Sequence, residues 1–477
     1  MRDMADRQRP DRQRAKVAIL GSGPGGAVTA MLCAQAGHDT LLLEEGPDLP
    51  LDSCAHYSGE EILSKYRNRG LSVAFGNPSI SYMEGCCVGG GSEVNRGLYH
   101  RTPSYLLEQW ARDFQVDDLS ERSMTPHFEA CEARVGVADI AGEAPPSSQR
   151  LSDGAARLGW DAIRAPRLFD YEAGRKQSMS ATVIPQFLRA GGRLLANTRA
   201  VRIRRTGNRW EVLTSHQGRP LSIDADALFI ACGAVQTPAL LRRSGFRHNI
   251  GNSLRFHPML KAVALFDKPV NRPGDPDPVH QIKMFEPRFG IGCSISSPAL
   301  LALALAGNAE MRAHIADDAP RMGIYYVQNG SGHARVRGLP GLRDPLISVR
   351  HDAVDLDSLY DGLKHLLRAL FAAGAEAVQP CIPGLPLLRS EADIAALPPH
   401  LPRKSAMLTS VHVFASCPMG EDRRLSATDS WGRVHDGDGL RIADASLMCG
   451  PTIANPQGSV MAIAHRNALH AMERGFG

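Results

Sequence analysis

The spacing of apolar positions changes along this chain, and the changes divide it into segments. Residues 16–20 form a short apolar run of β type, broken by Gly-Ser-Gly-Pro-Gly-Gly. A helical stretch over 27–36 follows, then a turn at Gly37 and a second apolar run over 40–43 that ends in Glu44. Strand, helix and strand in that order predict a βαβ unit. Residues 221–232 alternate and then turn continuously apolar before Gly233, with helical spacing after Thr237-Pro238 as far as Gly245. The stretch 440–443 is again short and apolar, closed by Asp444 ahead of a helix over 459–473. Strands buried on both faces read as unbroken apolar runs, so these three stretches predict one parallel-sheet unit.

The intervening segments have a different rhythm. Residues 106–114 and 127–135 are amphipathic at helical spacing, whereas 280–285, 324–328 and 346–350 alternate between Gly and Pro turns, as antiparallel strands do. A strong helix follows, with Leu359, Leu363, Leu366, Leu367, Leu370 and Phe371 on one face, Asp357 able to cap its start and Gly374 its end. The Pro-rich piece 379–402 reads as a loop returning the chain to the first unit. The uncharged stretch 289–309 holds an unbroken apolar run only over 299–306. Spanning a bilayer takes about 20 residues, so a buried or interfacial helix is expected there.

Composition narrows the classes. With 477 residues the chain has room for two or three units of about 150 residues, and 43% hydrophobic with 22% charged residues excludes disorder, collagen and coiled coil. A formal charge of +4 is small for this length and implies neither nucleic acid nor an acidic membrane as partner. Residues 1–15 mix charges and lack the apolar core of a signal peptide, so they read as an N-terminal tail. The ten cysteines show no CxxC and no repeated spacing, which suits reduced thiols and a cytoplasmic location. Nothing in the sequence speaks to oligomeric state.

Three motifs carry chemistry. In Gly21-Ser22-Gly23-Pro-Gly-Gly26 the glycines permit a tight turn, a close backbone approach to a pyrophosphate and helix–sheet packing. Glu44, about 20 residues on, can accept both ribose hydroxyls, so this is a dinucleotide fingerprint that by itself does not separate FAD from NAD. In Val88-Gly89-Gly90-Gly91-Ser92-Glu93-Val94-Asn95 a ring or phosphate can lie on bare backbone, with Ser92 and Asn95 free to donate. In the third, His412 opens His-Val-Phe-Ala-Ser-Cys-Pro-Met-Gly, and Asn455-Pro456 follows the strand ending at Asp444. A neutral imidazole can take the proton of a hydroxyl while an amide binds the same oxygen. No residue set carries metal-ligand spacing: Asp436-Gly-Asp438 lacks a third ligand, and His351, Asp352, Asp355 and Asp357 read as a helix-capping region.

In this order the pieces resemble the glucose-methanol-choline (GMC) family of FAD-dependent oxidoreductases. The carriers are GSGPGGAVTA with LLLEEG, GCCVGGGSEVNRGLYHR, GRKQSMSATVIPQFL, ALFIACGAVQTPALLRRSG, FHP at 256–258, and HVFASCPMG through GLRIADASLMCGPTIANPQGSVMAIAHRNA. The resemblance implies an α/β fold with a discontinuous, Rossmann-like FAD-binding domain (16–100, 195–255 and 405–477). A substrate-binding domain (101–194 and 256–404) would be built on an antiparallel sheet plus helices. It also implies that Gly21, Ser22, Gly23 and Gly26 meet the pyrophosphate, Glu44 the adenosine ribose and backbone at Val201 the adenine. Val88, Gly89, Gly90, Gly91, Ser92 and Asn95 would lie along the flavin, Asp444 near the ribityl-pyrophosphate region, and amides near Gln457 at the pyrimidine side.

The activity implied is oxidation of an alcohol to an aldehyde or ketone. His412 would accept the hydroxyl proton, Asn455 hold the oxygen, and hydride pass to flavin N5. The partners are then a small-molecule alcohol and an electron acceptor such as O2 or a quinone, with no nucleic acid and no indicated membrane association. Members with flavin linked covalently to histidine carry that residue where Val94 stands, so non-covalent FAD is expected. The alternatives are a non-redox flavin lyase of the same fold, or a nucleotide-binding protein whose site is structural or regulatory.

Overall fold

Strand β1, Asp11–Leu20, is the centre of the first sheet; the computed structural model describes residues 11–339 and 341–476. Its apolar half is the run read from the sequence, but the strand starts at Asp11 rather than Lys16. Residues 11–15 are therefore sheet and not tail, and the rest of that tail lies outside the described residues. The pairing explains the difference. Asp11 to Ala15 stand in parallel register with Leu221 to Ala225, so backbone hydrogen bonds hold a segment whose own side chains are largely exposed.

After β1 come α1 (Pro24–Gln35), β2 (Thr40–Leu43), β3 (Arg193–Leu195), β4 (Thr198–Thr206), β5 (Arg209–His216), β6 (Arg219–Ile230) and α2 (Gly233–Arg243). The sheet order is β4-β5-β6-β1-β2-β3, parallel from β6 to β3 with β4 and β5 as an antiparallel ribbon at one edge. β1, β2 and the end of β6 are buried on both faces, which is why they read as continuous apolar runs.

The second layer is a nine-stranded, mostly antiparallel sheet. It contains β7 (Met259–Phe266), β8 (His280–Ile282), β9 (Gly290–Cys293), β10 (Met322–Gln328) and β11 (Ala375–Pro380). Helices α3 (Pro298–Ala304) and α4 (Ala353–Ala372) pack on its opposite faces. Alternation along β7 sorts its side chains. Leu260, Ala262, Ala264 and Phe266 share one core with Leu359, Leu363, Leu366 and Leu370 of α4, while Val263 packs with Leu301 of α3. Helix α4 starts at Ala353 with Asp352 at its N-cap, one turn before the expected Asp357. The uncharged stretch 289–309 divides into β9 and the short α3, and among the described residues no helix is long and apolar enough to cross a membrane.

Short strands Ser72–Ala74, Ile80–Tyr82 and Leu408–Ser410 also join the second sheet, so segments on either side of the expected divisions contribute to both layers. The chain then returns to the first layer as β12 (Leu440–Ile442), parallel beside β6, and α5 (Gln457–Arg474), which lies along α1. A cleft of about 810 Å³ opens between the carboxyl ends of the first sheet's strands and one face of the second sheet.

Candidate active site

Two glycine turns build one wall of this cleft. At the end of β1 the chain turns through Gly21 at φ +107°, a conformation that side-chain-bearing residues rarely adopt, and enters α1 at Pro24. A Cβ on Gly21 would lie 2.1 Å from Ala231 O, one on Gly25 2.0 Å from Ala443 O, and one on Gly26 2.0 Å from Gly21 O. These contacts press the start of α1 against the ends of β6 and β12. Gly23 and Gly91 behave differently: nothing lies within 4 Å of either Cβ position, and both line the cleft. Since no side chain caps α1, its first-turn amides are left for an anion. A bare backbone wall beside uncapped amides fits a dinucleotide.

Ser22 joins the two glycine runs. Its hydroxyl donates to Glu44 Oε2 at 2.7 Å and accepts from the Gly89 N–H at 3.0 Å. The Ser22 N–H adds a 3.1 Å bond to the same carboxylate oxygen, and the Gly46 N–H a 2.9 Å bond to Oε1. Burial pushes the Glu44 carboxyl pKa up, and these bonds oppose the shift. Glu44 still reaches the cleft and keeps acceptor capacity beyond the three bonds.

The second run divides by what each residue faces. Gly90, Gly91 and Asn95 line the cleft, whereas Val88 packs in the core around α1. The expectation that Ser92 is free to donate to a bound ring fails. Its hydroxyl donates to Gly89 O at 2.7 Å, accepts from the Met179 N–H at 3.0 Å, and is buried in the turn it stabilises. Asn95 is engaged as well, donating through Nδ2 to Gln457 Oε1 at 2.6 Å across the mouth of α5. Asp444 borders the cleft and accepts from the Gly233 and Ser446 N–H groups at 2.9 and 2.8 Å. Val201 sits at a bulge in β4, exposed, with its carbonyl taken by Arg243, while Thr198, Arg199 and Ala200 of the same strand line the cleft.

Facing this wall is a connected set of polar side chains. His412 precedes the short strand Val413–Phe414, and Asn455 stands just before α5. Asn455 Nδ2 lies 3.2 Å from His412 Nε2, and His412 Nδ1 lies 2.9 Å from Nδ1 of His257, with the two rings edge to face. On the other side Gln281 Nε2, from β8, reaches Asn455 Oδ1 at 3.5 Å and the Tyr326 hydroxyl of β10 at 3.1 Å. Gln281 Oε1 lies 2.8 Å from His100 Nε2. Sequence reasoning singled out His412 and Asn455 and missed Gln281 and Tyr326; His257 and His100 were visible only as members of longer motifs.

One assignment of protons satisfies every contact in this set. His100 donates to Gln281, Gln281 to Asn455, Asn455 to His412 Nε2, and His412 Nδ1–H to His257. That direction puts the His412 lone pair on Nε2, where it accepts from Asn455 at the cleft that both residues line. Burial lowers the His412 pKa to about 4 and that of His100 to about 3, the latter helped by Lys283. It also holds His257 well below the ordinary histidine range, so the rings are neutral at pH 7.

A dinucleotide-type turn facing a neutral histidine–amide pair across one cleft defines a cofactor-dependent oxidoreductase. Family models described as GMC oxidoreductase match residues 25–259 and 333–464, and the chain belongs to that family, whose cofactor is FAD. It is 36% identical to an uncharacterised GMC-type oxidoreductase of Sinorhizobium fredii over 478 residues, covering 96% of this chain and 94% of that one. It is 25% identical to the long-chain-alcohol oxidase FAO3 of Arabidopsis thaliana over 523 residues, covering 95% and 67%. Among solved structures, pyridoxine 4-oxidase from Mesorbium loti superposes with a TM-score of 0.75 at 18% identity, over 96% of this chain and 99% of that one. A formate oxidase of Aspergillus oryzae reaches 0.74 at 14% identity, over 98% and 99%. These likenesses show the fold: a Rossmann-like FAD-binding domain joined to a substrate domain.

Proposed function

We propose that the protein oxidises an alcohol to an aldehyde or ketone, with His412 as general base and Asn455 binding the same oxygen. The observation that carries this reading is the one-directional hydrogen-bond run from His100 to His257, which keeps the His412 proton on Nδ1 and its basic Nε2 beside the Asn455 amide at the cleft. Bound FAD supplies the two-electron acceptor for hydride leaving the carbinol carbon.

With an alcohol bound, Asn455 Nδ2 shifts its hydrogen bond from His412 Nε2, 3.2 Å away, to the oxygen on which negative charge grows, and the Nε2 so freed takes the hydroxyl proton. His257 acts as a positioning residue, holding the other His412 proton on Nδ1 so that Nε2 stays available. The turn at Gly21 and Gly23 with the first turn of α1 would hold the pyrophosphate, and Glu44 the adenosine ribose. Gly90, Gly91 and Asn95 would lie along the flavin, with Asp444 and the start of α5 beside it. Val94, which cannot form the histidine link of covalent members, leaves FAD non-covalent.

The long-chain-alcohol oxidase and pyridoxine 4-oxidase among the similar proteins support an alcohol as the reductant. The test is anaerobic mixing of the holoenzyme with a panel of primary and secondary alcohols. Bleaching of the flavin with one carbonyl product per flavin is expected. An alcohol consumed while the flavin stays oxidised would overturn the reading.

A further inference from the structure

Beyond the histidine–amide pair, the cleft holds a lysine that no acid among the described residues pairs with. Lys261 lies on β7 and alternates with Leu260 and Ala262, which are buried against α4, so its side chain takes the other face of the sheet and lines the cleft. The acids among the described residues leave it alone. Burial pushes its pKa down, and the only nearby group acting in the opposite sense is the Cys381 thiol. Several other cleft cations have acid partners, Arg67 with Glu45 at 2.8 Å, Arg96 with Asp277 at 2.7 Å and Arg199 with Glu45 at 3.5 Å; Arg69 and Arg243 line the cleft without one, but neither belongs to the second sheet. Apolar neighbours lie beside Lys261 in the cleft: the Cys381 N–H donates to its carbonyl, and Ile324 stands opposite Val263 on the same face of the sheet. A lysine so placed is poorly solvated as an ammonium and lacks a counter-ion, so an anion arriving with a ligand would stabilise its charged form.

The lysine also shares the cleft with the catalytic set. It stands directly opposite Tyr326 on the neighbouring strand, and the Tyr326 hydroxyl shares Gln281 with Asn455. Side chains opposite each other on paired strands are neighbours, so Lys261 stands beside Tyr326, at the border of the hydrogen-bonded set that runs from His100 to His257. The cofactor's own negative charge belongs elsewhere, at the glycine turn and the uncapped start of α1 on the opposite wall.

We infer that Lys261 is a specificity residue and that the substrate is an alcohol carrying an anionic group, a carboxylate or a phosphate, which pairs with its ammonium. The inference rests on the alcohol-oxidising reading and narrows it to a substrate class.

The experiment compares three series of matched chain length on the holoenzyme: neutral alkanols, ω-hydroxyalkanoates and ω-hydroxyalkyl phosphates. The readout is kcat/KM for anaerobic flavin reduction, taken as the ratio of anionic to neutral substrate within each variant. In the wild type that ratio is expected to be at least about tenfold for one anionic series, the value of a charged hydrogen bond, and the favoured series names the group. In Lys261→Met, and in Lys261→Gln should the first variant fold poorly, the ratio falls to near unity.

A wild-type ratio near unity, or one that survives both substitutions, overturns the inference. So does a change in the flavin absorbance of the variants with the ratio intact, which would place the lysine on the cofactor. Failure of every alcohol to bleach the flavin would sink the parent reading instead. In that case binding of a non-oxidisable alkanoate or alkyl phosphate, followed by perturbation of the flavin spectrum, still tests Lys261. Its Kd should weaken about tenfold or more in Lys261→Met, and equal binding counts against the pairing.

Discussion

A histidine buried without a carboxylate beside it stays neutral, and that sets the pH behaviour of His412. Its pKa is lowered to about 4 by burial, so the base form is complete near neutrality. Accordingly kcat/KM for flavin reduction should be flat from pH 7 down to about 5 and fall roughly tenfold per unit below about 4, as a stopped-flow pH series would show. The stability consequence has a definite sign. Between the ordinary value of 6.5 and about 4 the unfolded chain binds a proton that folded His412 does not, so stability drops as pH falls through that window.

His257 gives a second prediction at this scale. His257→Phe should slow flavin reduction about tenfold, part of the ~10²–10⁴ that a positioned base contributes, and should move the acid limb of the pH profile. His257→Gln, whose amide oxygen can accept from His412 Nδ1, should recover part of the rate; a slow but unshifted profile in both variants would reduce His257 to packing. His412 and Asn455 were legible because each sits in a distinctive string. Gln281 and Tyr326 were not, since they reach the site from β8 and β10, where they look like ordinary positions of alternating strands.

Among the elements, α1 shows two kinds of glycine that one motif conceals. A Cβ at Gly25 would stand 2.0 Å from Ala443 O, backbone that cannot step aside, so Gly25→Ala should destabilise the protein by about 1–3 kcal/mol, measured as a lowered denaturant midpoint. Gly23 has φ −63° and an open Cβ position, so Gly23→Ala should leave the stability of the apoprotein unchanged while weakening FAD binding, read by flavin titration. Equal FAD affinity in Gly23→Ala would mean that this face does not approach the cofactor. The spacing of Gly21, Gly23 and Gly26 was plain in the sequence, but which glycine faces a strand end and which faces the cleft depends on β6 and β12, which arrive from far along the chain. The same dependence hid the polar start of β1, which only its pairing with β6 holds in the sheet.

At the scale of the molecule, the division into a parallel layer and an antiparallel layer was readable from where apolar runs are continuous and where they alternate. Continuity marks burial on both faces, as in β1 and β2, and alternation marks strands such as β7 that serve a helix on one side and a cleft on the other. The borders were less legible, because Leu408–Ser410 and the strands between Ser72 and Tyr82 are too short to show a period and join the second sheet by edge pairing. What the two layers achieve together is a wall of bare backbone opposite a neutral base. Single-turnover anaerobic reduction of the flavin in His412→Ala, beside the wild type and with an alcohol that bleaches the wild type, tests that arrangement most directly. Full FAD content with reduction slowed by at least about 100-fold is expected; reduction at the wild-type rate would contradict the role of His412 as the base.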